Sequence, residues 1–63
     1  MIQTDTELEM AQEAINKIQR MLVEARRTHS PEEYHLMSAP FLLELQDRQY
    51  EVIQYLARAG APV

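Results

Sequence analysis

Glu32 and His35 stand three residues apart, the E-x-x-H spacing that sets a carboxylate and an imidazole on one face of a helix and supplies ligands in di-iron helical bundles. Such a centre needs further carboxylates projecting inward from facing helices, and the sequence does not arrange them. Glu32 falls in the first turn of its helix, where a carboxylate complements the positive end of the helix dipole. Glu24, the nearest acid on the preceding segment, falls on the polar side of its own helical pattern. Glu32 and His35 are therefore weak metal candidates, and a helical-bundle oxidase with its metal at a subunit interface is a distant alternative.

The remaining reactive side chains point to packing rather than chemistry. Tyr34, Tyr50 and Tyr55 could stack on bases, but that mode also needs a positive groove, whereas a tyrosine at a protein interface packs its ring and keeps its hydroxyl wet. Met1, Met10, Met21 and Met37 could line an adaptable groove for a partner helix or simply fill gaps. No nucleophile has a base and an orienting group beside it in the pattern. The only glycine, Gly60, falls where a helix should stop, so no glycine-rich loop is available to cradle a phosphate. Neither catalysis, a cofactor nor a small-molecule substrate is expected.

The formal charge is −4, which argues against holding nucleic acid by neutralising phosphates. Arg20, Arg26 and Arg27 gather near the end of the first helical pattern, where cations complement the helix dipole. No apolar run approaches the roughly 18 residues that span a bilayer and no secretory segment is recognisable, so no membrane contact is expected and the cytoplasm is the expected address. With 63 residues and no cysteine, the chain is one domain that must gain stability without disulfides, and association is the usual remedy at this size.

The pattern that positions these residues is all-α. Thr4, with Glu7 three residues on, forms a capping signal for a first helix over about 5–27. Within it Leu8, Ala11, Ile15, Ile18, Leu22 and Ala25 recur at spacings of three and four, and Glu13–Lys17 and Arg20–Glu24 are spaced for ion pairs on the wet face. Ser30-Pro31-Glu32-Glu33 opens a second helix: a capping serine, proline at the first position where its missing N–H costs nothing, and glutamate at the third. A turn over 28–30 leaves room only for an antiparallel neighbour. The second helix should run over about 31–59, stopped by Gly60 and Pro62, and kinked or broken near Ser38 and Ala39 by Pro40.

Antiparallel packing pairs residues whose numbers sum to nearly 60. Leu8, Ile15, Ile18 and Leu22 then meet Met37, Phe41, Leu45, Val52 and Leu56 as the hairpin core, with Tyr34 on the same seam and Ala11 opposite Gln49. A second heptad series on the longer helix, Leu36, Ala39, Leu43, Tyr50, Ile53 and Ala57 with Leu42 between, has nothing to pack on within one hairpin. Together with Met10, Ala14 and Met21 on the edge of the first helix, it is the expected interface. The simplest solution is a two-fold dimer of hairpins, a four-helix bundle, with a higher oligomer or a complex with another protein satisfying the same physics.

The opening, Met1-Ile2-Gln3-Thr4-Asp5 followed by Leu8, Ala11 and Ile15, resembles the first helical segment of some HigA-type bacterial antitoxins over about a quarter of the chain. The helix-turn-helix domain that those antitoxins use on operator DNA is absent from the sequence, so DNA binding does not carry over. What the resemblance implies is a small bacterial protein that works by occupying a partner. Two functions follow: a self-associating, non-catalytic interaction module, and an antitoxin-like or regulatory inhibitor that binds another protein through its apolar seam.

Overall fold

Helix α1 (Asp5–Thr28) begins where Thr4 Oγ1 accepts the N–H of Glu7 at 3.1 Å. The return bond differs from the expected reciprocal pair: Glu7 Oε1 accepts from the N–H of Gln3, 3.0 Å away, one residue earlier than the cap. The helix runs one residue beyond the expected end. Thr28 is still helical, its hydroxyl donating back to Glu24 O at 3.3 Å, and His29 Nδ1 lies 3.1 Å from Ala25 O. These groups occupy carbonyls that the last turn of a helix otherwise leaves unpaired.

The connection is made by His29 and Ser30 alone, both extended, so the chain reverses without any residue at positive φ. Ser30 Oγ then accepts from Glu33 N at 3.2 Å while Glu33 Oε1 accepts from Ser30 N at 3.1 Å, the full capping box expected of this segment. Helix α2 (Pro31–Ala57) follows and passes through Pro40 without a break. Proline removes one amide donor, and the hydrogen bonds on either side hold the helix continuous across the gap.

The computed structural model describes residues 1–58. Arg58 has left the helical conformation, so α2 ends at Ala57 rather than near Ala59. The stop signals expected at Gly60 and Pro62 lie outside the described residues.

The two helices pack antiparallel as an all-helical hairpin. Tyr55 donates to Asp5 and Arg58 to the carbonyl of Ile2, and in both pairs the residue numbers sum to 60, the expected register. Ile15, Leu22 and Ala25 are buried, and Leu8, Ile18, Met37, Phe41, Leu45 and Val52 are half-buried along the seam. Leu56 departs from expectation: it is 62% exposed, and Tyr55 occupies the inward position with its ring half-buried. In the same register Leu56 stands opposite Thr4, where α1 has not yet begun, while Tyr55 reaches Asp5 of the first turn. The ion pairs expected at Glu13–Lys17 and Arg20–Glu24 do not form among the described residues. Glu24 turns to Arg27 at 3.9 Å instead, and Arg48 meets Glu44 at 3.0 Å.

The particle measures 52 × 15 × 12 Å with a radius of gyration of 14.7 Å, against about 11 Å for a compact chain of this length. Its accessible surface is 5255 Å², where a compact monomer of 7.4 kDa would expose roughly 4,200 Å². A bare hairpin is therefore a rod with a thin core, and among the described residues no large side chain is fully buried. Among the described residues, no helix is long and apolar enough to cross a membrane.

Candidate interaction surface

Continuous helix over Pro31–Ala57 gives α2 two faces. Tyr34, Phe41, Leu45 and Val52 turn toward α1, and Ser38 is buried among them at 2% exposure. About 160° around the helix from that seam, at 100° per residue, runs the second series. Leu36, Leu43, Tyr50 and Ile53 are 61–79% exposed, Leu42 is exposed beside them, and Ala39 and Ala57 complete the row. Spacings of seven between Leu36, Leu43, Tyr50 and Ala57 keep this row straight along the rod. Gln46 also lies in the row, exposed, as its single polar member at heptad spacing.

The row runs along one flank of the hairpin into a groove of about 540 Å³ lined by Gln12, Ile15, Asn16, Gln19, Gln49, Val52 and Ile53. Gln12, Asn16 and Gln19 follow one another at four and three residues, so α1 presents an amide row beside the apolar row of α2. That amide row escapes a search for apolar periodicity, although its own heptad spacing is visible in the sequence.

Met10, Ala14 and Met21 lie elsewhere. They project from α1 nearly opposite Gln12, Asn16 and Gln19, so they edge the other flank of the seam. Met10 and Met21 are exposed and Ala14 is half-buried. On that flank Glu33, Glu44 and Glu51 of α2 stand between the methionines and the apolar row, at the helical phase between the two. The residues expected to form one interface thus divide into a long row on the back of α2 and a separate methionine edge on α1.

No protein-family model, no curated protein and no solved structure matches this chain.

Glu32 and His35 are exposed at the start of α2, where they line a shallow surface hollow with Pro31 and Leu36. Among the described residues, no three His, Cys, Asp or Glu side chains come together as a cation site. Four hydroxyls are engaged with helix backbone: Thr4 and Ser30 as N-caps, Thr28 at a helix end, and Ser38 Oγ 3.5 Å from His35 O. The Glu33 carboxyl is held below the ordinary carboxylate range, first by the Ser30 backbone N–H and then by the Ser30 side chain. The Tyr55 hydroxyl is pushed above the usual tyrosine range, first by its hydrogen bond to Asp5, then by desolvation and by the Asp5 charge.

Proposed function

We propose that this chain is a non-catalytic interaction module whose partner is a second copy of itself, two hairpins closing into a four-helix bundle. The exposed heptad row on the back of α2 carries the reading, because Leu36, Leu43, Tyr50 and Ile53 face away from α1. With about 100–150 Å² exposed on each of these side chains, two copies would remove on the order of 800–1,200 Å² from water, at the threshold of a specific interface. The excess surface of the isolated rod favours the same conclusion. A second copy is the economical occupant, since a straight row of this kind meets its own image about a two-fold axis. The use of hydroxyls as helix caps supports a role without catalysis.

Light scattering or sedimentation of the purified chain tests the reading. The expected mass is twice 7.4 kDa, with a melting temperature that rises with concentration. A solitary 7.4 kDa particle that melts cooperatively overturns it. A loosely ordered monomer that becomes structured only when a different protein covers the row would move the function to an antitoxin-like inhibitor.

A further inference from the structure

Charge is spread unevenly along the rod. The half nearest the turn, residues 17–43, holds Lys17, Arg20, Arg26 and Arg27 against Glu24, Glu32 and Glu33. The other half, residues 1–16 with 44–58, holds seven carboxylates against Arg48 and Arg58. Formally the turn half is +1 and the open half −5. The hairpin creates this separation: folding back brings Glu44, Asp47 and Glu51 of α2 to the same end as Asp5, Glu7, Glu9 and Glu13 of α1.

We propose that the two copies lie antiparallel, turn against open end, with the two-fold axis passing close to Gln46. The proposal rests on the self-association reading above and assigns its geometry. Parallel copies would set one strongly acidic half beside the other along the whole open end. Antiparallel copies set each acidic half beside a slightly basic one. Packed helices lie about 8–10 Å apart, close to the Debye length of roughly 8 Å at physiological salt, so much of this difference survives screening.

The apolar row accepts the antiparallel arrangement. Gln46 is near the middle of Leu36–Ala57, and turning one copy end for end about it lays the row on itself. Ala39 then meets Ile53 of the second copy, and Leu42 meets Tyr50. Gln46 meets Gln46 across the axis, where each amide can both donate and accept. A lone polar residue in an otherwise apolar row fixes register and orientation at some cost in stability.

The chain has no cysteine, so a single label can be placed without background. Glu32→Cys, spin-labelled at the turn end, should give an inter-label distance of about 40 Å if the axis lies near Gln46, from the helix rise over fourteen residues taken twice. Parallel copies would bring the labels within about 10–20 Å, the helix spacing plus label length. In the unmodified protein, raising salt should weaken the antiparallel dimer several-fold, whereas a parallel dimer would tighten as its repulsion is screened. A dimer mass with a short distance, or with association that tightens in salt, overturns the orientation and leaves self-association standing. A monomer mass under all conditions overturns both.

Discussion

The Tyr55 hydroxyl donates to Asp5 Oδ1, joining the last turn of α2 to the first turn of α1 across fifty residues of sequence. Arg58 reinforces the junction. Its guanidinium donates to the carbonyl of Ile2 and sits 5.4 Å from the centre of the Tyr55 ring, and Ile2 is buried beneath. The amine of Met1, 3.5 Å from Glu51, extends the same contact. The open end of the hairpin is thus closed by a polar clasp over one apolar side chain, in place of the covalent turn that closes the other end.

The clasp predicts an alkaline limit. The folded chain holds the Tyr55 proton more tightly than the unfolded chain, because the neutral hydroxyl donates to Asp5 and an ionised one could not. Its contribution is therefore complete below the ordinary tyrosine pKa of about 10 and is lost as pH rises through the folded value. Ultraviolet titration should contain a late phenolate component that disappears in Tyr55→Phe and moves earlier in Asp5→Ala. Superimposable curves for the three proteins would show that the hydroxyl is not held by Asp5.

The turn predicts an acid limit of opposite sign. Glu33 is depressed by its bonds to Ser30, so its contribution is present above the ordinary carboxylate pKa of about 4.3 and is lost as pH falls through the folded value. Ser30→Ala should cost about 1 kcal/mol at neutral pH, the usual loss for an N-cap serine. Glu33→Gln should keep much of the cap and flatten the acid side of the stability curve. Thermal melts between pH 3 and pH 7 measure both effects, and an unchanged acid slope in Glu33→Gln would remove Glu33 from the account.

The two ends show what the sequence could and could not express. Caps are local, and Thr4, Ser30, Pro31 and Glu33 mark the helix starts within a residue of where they occur. Register followed from the short turn, because a two-residue reversal leaves one antiparallel alignment. The choice between Tyr55 and Leu56 was not legible. Leu56 follows the seam periodicity, but it stands opposite Thr4, before α1 begins, and periodicity does not show where the neighbouring helix ends. Burial of Ile2 was equally hidden, since it precedes the helix and depends on Arg58 folding over it. Pro40 signalled a kink or a break, and the helix runs through it without a break.

Ser38 is the other residue that periodicity overlooks. It is buried to 2% although its hydroxyl reaches only the carbonyl of its own preceding turn, at 3.5 Å. Size rather than polarity fits it to the seam. Ser38→Ala should be neutral or slightly stabilising, while Ser38→Leu should force the helices apart and cost about 1–3 kcal/mol, the range for overpacking a close contact. Chemical denaturation of the two variants decides the matter, and equal loss in both would mean that the hydroxyl itself is required.

A continuous α2 makes Pro40→Ala a stabilising substitution. Proline within a helix forgoes a backbone hydrogen bond and crowds the preceding turn, whereas alanine restores the donor and adds some freedom to the unfolded chain. The balance should favour the variant by roughly 1–2 kcal/mol in denaturant melts. Marked destabilisation would show that the bundle depends on a distortion at Pro40.

The exposed row and the seam should respond to substitution in different ways. Leu43→Glu and Ile53→Glu place a carboxylate where the proposed second copy would exclude water, so each should shift the mass toward the monomer. In the separated hairpin these positions face solvent, and the new charge has no local penalty to pass on to the fold. Leu22→Ala instead empties a buried position and should cost about 2–5 kcal/mol. In so thin a core that loss should unfold the protomer and abolish assembly with it. Circular dichroism and light scattering on the same samples separate the cases: helix retained with mass halved for the row, both lost for the seam. If Leu43→Glu and Ile53→Glu kept the native mass and melting temperature, the surface between copies would have to be sought on another face, the methionine edge of α1 first among them.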